Sequence, residues 1–172
     1  MDVVEVTRGD LVEARHSLRV VVADHEGTVV ASIGDVEELT YYRSAAKPLQ
    51  ALPLVEEGVC DRFALSDAEL ALCCGSHEGE PEHVAGVRSI LRKAGLEESL
   101  LRCGAHLPFS PEASRALLAS GGQAARVHNN CSGKHMGFLT TAHHLGEPTT
   151  GYIRPAHPVQ KRVSAVIGDL SG

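Results

Sequence analysis

The densest group of reactive side chains is His128-Asn129-Asn130-Cys131-Ser132-Gly133-Lys134-His135. These eight residues offer a thiol, an amine, imidazoles and amides beside a glycine and a helix-start signal. Cys131 and Lys134 stand three apart, a spacing that brings side chains to one face of a helix. A helix N-terminus lowers a cysteine pKa, and the resulting thiolate serves as metal ligand or nucleophile. A capped turn around a buried cysteine would use the same residues, but this density of polar chemistry favours function. The second group is Tyr42-Arg43-Ser44-Ala45-Ala46-Lys47-Pro48, which contains S-x-x-K. A hydroxyl is a poor nucleophile, and a neutral amine one turn away can take its proton. Free N–H groups at a helix start can stabilise an oxyanion. A serine N-cap with a solvated lysine explains the same pattern. The third group, Gly75-Ser76-His77-Glu78-Gly79-Glu80, is a polar stop after an apolar run. It reads as a turn with a helix cap, or as a site that adds a second hydroxyl, Ser76, and a hydrogen-bonding imidazole, His77.

These groups need a scaffold. Val3 to Thr7 and Leu11 to His16 flank a turn at Arg8-Gly9-Asp10, and Leu18 to Ala23 and Thr28 to Ile33 flank Asp24-His25-Glu26-Gly27. Both read as hairpins. Helical spacing follows from Ser44 to Gly58, with Pro53 as a distortion. Ser66-Asp-Ala-Glu69 is a capping box before an apolar run. Pro81 opens an amphipathic helix ended by Gly95, and Ser110-Pro111 opens another ended by Gly121. Ser132 caps a helix running to about Gly146, and Pro158 opens a last one ended by Gly168. His143 and His144 read as surface residues of their helix. Strands first and helices after predict an α/β chain of the α+β sandwich type, with no internal boundary across 1–172.

Composition narrows the function. The 172 residues carry 16 Lys plus Arg against 22 Asp plus Glu, a formal charge of -6, and aromatics are only 3%. That balance excludes a general nucleic-acid binder, which needs a basic footprint and stacking platforms. No apolar run is long enough to span a bilayer and no secretory signal is visible, so a cytoplasmic protein is expected. The five cysteines, Cys60, Cys73, Cys74, Cys103 and Cys131, read as thiols, with Cys73 and Cys74 in core packing. No Walker or dinucleotide glycine fingerprint is present, and no His/Cys spacing of a standard zinc site occurs.

Three segments together are more specific than any one. Tyr41-Tyr42-Arg43-Ser44-Ala45-Ala46-Lys47-Pro48-Leu49-Gln50, Gly75 to Glu80 and Asn129-Asn130-Cys131-Ser132-Gly133-Lys134-His135 resemble the asparaginase II family of rhizobial-type L-asparaginases. Val6 to Gly9, Arg102-Cys103-Gly104 and His157-Pro158-Val159-Gln160 resemble that family in the same order. The resemblance implies L-asparagine hydrolysis to L-aspartate and ammonia, on a fold related to serine β-lactamases and penicillin-binding proteins. It implies that Ser44 and Lys47 are a first Ser-Lys pair, and that Ser76 is the serine of a second. Cys131 and Lys134 correspond to two of three protein ligands of a zinc ion. Arg43, His77, Asn129 and His135 fall in motifs that line the substrate pocket. Family members are longer, so the chain is expected to match an N-terminal portion. The lysine partner of Ser76 and the further zinc-ligand cysteine would then lie beyond Gly172.

The leading expectation is that Ser44, activated by Lys47, attacks the amide carbon while Arg43 pairs with the substrate α-carboxylate. The alternative is a non-catalytic remnant or subunit that folds against a complementary C-terminal half; a homodimer is the other association expected. A third reading, a cysteine hydrolase using Cys131 with His135 or His128, explains fewer residues.

Overall fold

The computed structural model describes residues 3–171. Met1, Asp2 and Gly172, the ends of the expected domain span, lie outside them. The chain divides into two compact units, Met1–Tyr41 and Tyr42–Gly172. No proline-, glycine- or serine-rich stretch precedes this junction, so composition alone gives no boundary there.

The first unit holds both hairpins. Strand β1 (Val3–Arg8) pairs antiparallel with β2 (Leu11–Ser17), and β3 (Val20–Ala23) pairs antiparallel with β4 (Val29–Ile33). Gly9 makes the first turn possible at φ +62°, a region that costs an L side chain strain. The second turn is held by Asp24, whose carboxylate accepts the N–H groups of Glu26 and Thr28, each at 2.9 Å, an Asx turn. Each hairpin contains one register shift, at Val6/Thr7 and at Val22/Ala23. The two sheets remain two-stranded, and no residue from Val3 to Tyr41 is buried.

The second unit is helical. A 3₁₀ turn (Arg43–Ala46) leads into α1 (Lys47–Glu56), followed by α2 (Val59–Arg62), α3 (Asp67–Cys73), α4 (Pro81–Ala94), α5 (Pro111–Ala119), α6 (Ser132–His144) and α7 (Pro158–Ser171). The capping box forms as its sequence predicts. Ser66 Oγ accepts the Glu69 N–H at 3.3 Å, and the Glu69 carboxylate accepts the Ser66 N–H at 2.7 Å. Ser110 caps α5 through the Ala113 N–H at 3.2 Å. Pro53 sits inside α1, where its ring removes one helical N–H. Two boundaries differ from expectation. Helix α7 runs through Gly168 to Ser171, since glycine weakens a helix but does not stop one that has a docked face. Ser132 is not a cap: Cys131 takes the N-cap position, and Ser132 is the buried first helical residue.

Helix α6 is the centre of this unit. It packs against α1, α2, α3, α4 and α7 and buries residues on every side, including Met136, Phe138, Leu139 and Ala142. Around it lie Leu54, Val59, Val87, Ile90, Leu101, Val127 and Val159, all inaccessible to solvent or nearly so. Two buried hydroxyls on α6 are satisfied locally: Thr140 and Thr141 donate to the Met136 and Gly137 carbonyls at 2.7 and 2.8 Å, so neither disturbs the core. Gly133 permits the closest approach. A Cβ there would stand 2.0 Å from the Leu72 carbonyl oxygen, so α3 and α6 meet backbone to backbone. This contact sits next to the two segments that carry Ser76 and Cys131.

The protein is thus mixed α and β with helices in the majority. All five cysteines are free thiols. Cys73 is fully enclosed and Cys74 half-buried, and burial pushes both thiols up in pKa. His143 is exposed, while His144 is half-buried; both rings lie against Phe63, at centroid distances of 6.1 Å. Among the described residues, no helix is long and apolar enough to cross a membrane.

Candidate active site

Lys47 opens α1 and is only 3% exposed. A buried lysine needs partners, and this one has two from distant segments. Its Nζ donates to Ser76 Oγ, just past the end of α3, and to Cys131 Sγ at 3.2 Å, at the start of α6. One amine therefore joins the three reactive segments of the sequence. Ser44 lies one turn before Lys47, in the exposed 3₁₀ segment. Arg43, Ser44, Lys47, Gln50, Cys131 and Lys134 line one cleft of about 300 Å³. Three of the six, Arg43, Lys47 and Lys134, are basic and none is acidic, which suits a ligand bearing a carboxylate. Arg43 adopts a left-handed backbone conformation at φ +49°, unusual for a non-glycine residue and costly unless the surroundings hold it. Ser76 also borders a larger hollow of about 690 Å³ between α3 and α4.

The other residues singled out from the sequence hold these segments in place. His77 is buried, and burial first of all, with the nearby His83 and Lys47 charges, brings its pKa down to about 4. Nδ1 accepts the Gly79 N–H at 3.1 Å, so Nε2 carries the proton and donates to Ser132 Oγ at 2.8 Å. Ser132 in turn donates to the Val127 carbonyl at 3.0 Å. The His77 backbone N–H donates to the Asn130 carbonyl at 3.0 Å. His77 thus ties the Ser76 segment to the Cys131 segment, and both its ring nitrogens are engaged within the fold. Asn129 accepts the Cys131 N–H at 2.8 Å and donates to the Gly104 carbonyl at 2.7 Å, which fixes the turn that presents Cys131.

His135 lies one turn beyond Cys131. Its Nδ1 accepts from the Tyr152 hydroxyl at 2.9 Å, and that hydroxyl accepts the Arg102 N–H at 2.8 Å. Burial, with the Lys134 and Lys47 charges, brings its pKa down to about 4, so the ring is neutral at pH 7. Burial holds the Tyr152 phenol up at about 12, so it stays a donor. Lys134 extends its ammonium over the Phe138 ring, 5.8 Å from the centroid, a weak cation–π contact.

Three residues escaped the sequence reading. Gln50 stands one turn after Lys47 and lines the cleft, and its Oε1 is buried without a hydrogen-bond partner. It closes the Tyr41 to Gln50 segment that carries the resemblance and stands i, i+3 from Lys47, but neither signal assigned it a role. His106 and Tyr152 support the site from outside. His106 Nδ1 donates to the Leu107 carbonyl at 2.6 Å, so Nε2 accepts the Asn130 N–H at 3.2 Å. Neither residue stands in a motif that marks it.

For a metal, the cleft brings together one thiol, Cys131, and two amines, Lys134 and Lys47, the second of them already bonded to Ser76 and Cys131. The described residues contain no group of three or more His, Cys, Asp or Glu side chains able to hold an ion. Cys131 and Lys134 offer a thiol and an amine, and those two make up half of a four-coordinate zinc shell.

No curated protein matches the chain. A family model does: the one described as L-asparaginase II aligns with residues 4–172, taking in both hairpins as well as the helical unit that builds the cleft. That span is essentially the whole sequence, and the chain belongs to the L-asparaginase II family, whose membership suggests an amidohydrolase of the asparaginase type.

Proposed function

We propose that the cleft hydrolyses the side-chain amide of L-asparagine to L-aspartate and ammonia. The observation that carries this reading is the buried Lys47 amine bonded to a serine hydroxyl, Ser76, beside a cleft lined by basic and no acidic side chains. With its lone pair free, the Lys47 amine takes the Ser76 proton as Oγ attacks the amide carbon. The C–N bond of the tetrahedral adduct then breaks, and Lys47 returns that proton to the departing ammonia. Water, deprotonated by the same amine, attacks the acyl-enzyme ester; the ester C–O bond breaks, Lys47 returns the proton to Ser76 Oγ, and aspartate leaves. Ser44, exposed one turn before Lys47, is the second hydroxyl of the site and the competing nucleophile. Arg43 pairs with the substrate α-carboxylate, which a guanidinium matches in a bidentate fork. The unpartnered Gln50 oxygen accepts from the substrate α-ammonium. His77, Asn129 and His135 position these groups. Zinc would be held by Cys131 and Lys134 and would supply a local positive charge when bound. The mixed α and β make-up is compatible with the serine β-lactamase-like arrangement that the resemblance implies.

The test is ammonia release from L-asparagine by Ser76→Ala and Ser44→Ala proteins. Ser76→Ala is expected to lose about 10³-fold or more in kcat, and Ser44→Ala clearly less. Near-full activity in Ser76→Ala would transfer the nucleophile to Ser44, and near-full activity in both would end the reading. Gln50→Leu is expected to raise KM with little change in kcat, because the contact is present in both ground and transition states.

A second reading has one observation in its favour: within the first unit, no aliphatic side chain of the hairpins is buried. This reading makes the chain a subunit that folds against a complementary polypeptide or a second copy. A monomer in sedimentation that unfolds in one cooperative step would count against it.

A further inference from the structure

Helix α5 is well started, by the Ser110 cap and Pro111, yet contributes no buried residue. Its apolar stripe, Ala113, Ala116 and Leu117 at i, i+3 and i+4, faces α4 across a groove of about 490 Å³. That volume falls within the range of small-molecule sites. The α4 side of the groove presents Val84, Arg88 and Arg92, successive residues of one i, i+4 row. Like charges at that spacing repel. Arg88 has only a distant counter-ion, Glu98 at 3.8 Å. Arg92 forms no ion pair among the described residues. No carboxylate lines the groove, in a protein whose formal charge is -6. Two guanidiniums one turn apart, over an apolar floor, with no acid in the groove lining and only the 3.8 Å contact of Arg88 to Glu98 outside it, are complementary to an anion with an apolar body.

We propose that the α4–α5 groove is a binding site for a small carboxylate carrying an apolar group, separate from the Lys47 cleft. Arg88 and Arg92 would hold the carboxylate in charge-assisted hydrogen bonds, and the apolar group would lie against Val84, Ala113 and Leu117. Asparagine and aspartate do not match this groove, because neither has an apolar portion to fill it. Its ligand is therefore not the substrate or product of the proposed reaction.

The test is a titration of the isotope-labelled full chain with 4-phenylbutyrate, followed by backbone amide resonances. Saturable shifts are expected in residues 81–94 and 111–119, weakening as salt is raised. The neutral amide of the same acid should bind at least about tenfold more weakly, and so should the acid to an Arg88→Gln/Arg92→Gln protein. Ala116→Glu supplies a carboxylate to the groove and should block binding while leaving the fold intact. Equal affinity for acid and amide would overturn the proposal, as would unchanged binding to the double variant. Absence of saturable shifts in α4 and α5 up to about 10 mM, weaker than small-molecule sites of this size generally require, would overturn it as well.

Discussion

The hairpin unit and the helical unit draw on the same aliphatic residues and use them in opposite ways. From Val3 to Ile33 the strands are rich in valine, and Val21, Val22, Val29 and Val30 are each about half exposed or more. From Tyr42 onward, valines at 59, 87, 127 and 159 are sealed in the core. Side-chain type does not separate them. A two-stranded sheet taken by itself has no second layer to bury against and is marginal alone. Helix α6, by contrast, is enclosed by five other helices. Apolar content states how much surface wants cover, and only the neighbouring elements decide whether it is covered.

Breaking the helical side of this contrast should have the largest effect. Gly133→Val places a side chain on the Leu72 backbone, 2.0 Å from its carbonyl oxygen at the Cβ alone. The cost should exceed about 4 kcal/mol, visible in urea unfolding as a protein that hardly folds. Leu139→Ala should cost about 3 kcal/mol through lost burial and a cavity. Val21→Ala in β3 should change stability by no more than about 0.5 kcal/mol. Comparable losses at Leu139 and Val21 would mean that the hairpins are buried in solution.

Acid sharpens the comparison next. His77 in the fold has a pKa of about 4 against an ordinary 6.5, because burial disfavours its charged form. As pH falls, the unfolded chain takes up that proton first, so the contribution is complete above 6.5 and is lost between there and about 4. Glu69 has a pKa of about 2 against an ordinary 4.5: burial pushes it up, but the Lys93 ammonium at 2.6 Å and the Ser66 cap outweigh it. Its contribution is complete above 4.5 and is lost as pH falls towards 2. Stability should therefore decline in two stages, each on the order of 1 kcal/mol after solvent screening. His77→Gln should shrink the upper stage and Glu69→Gln should remove the lower one, measured by chemical unfolding at a series of pH values. The smallest effect belongs to the hairpin ion pairs. Arg15→Ala, which removes an exposed 2.8 Å contact to Glu5, should change stability by less than about 0.5 kcal/mol.

Much of the fold was legible in local chemistry. Turn residues marked both hairpins, Ser66 with Glu69 marked α3, and Pro81 with Gly95 bracketed α4. What could not be read was whatever depends on long-range contact. Ser132 looks like a cap because serine at a helix start normally bonds the helix's own N–H groups; here the hydroxyl is taken by Val127 and His77. The candidate site divides in the same way. Lys47 was legible as a serine's partner, but the sequence pointed to Ser44, three residues away, and the hydrogen bond goes to Ser76. Gln50 closes the Tyr41 to Gln50 segment and stands i, i+3 from Lys47, but its role could not be read there, because an unpartnered buried oxygen is a property of packing.

The His77 bridge sets a condition on any attempt to transplant this site. Its ring and backbone N–H fasten the segment before α4 to the start of α6, at Ser132, and to the turn just before it, at Asn130. Copying Lys47, Ser76 and Cys131 onto another scaffold would reproduce the reactive atoms without the clamp that sets their separation. The smallest portable unit is the two segments joined through His77, with the glycine-mediated helix crossing beneath them, and a designer would have to move all of it as one piece.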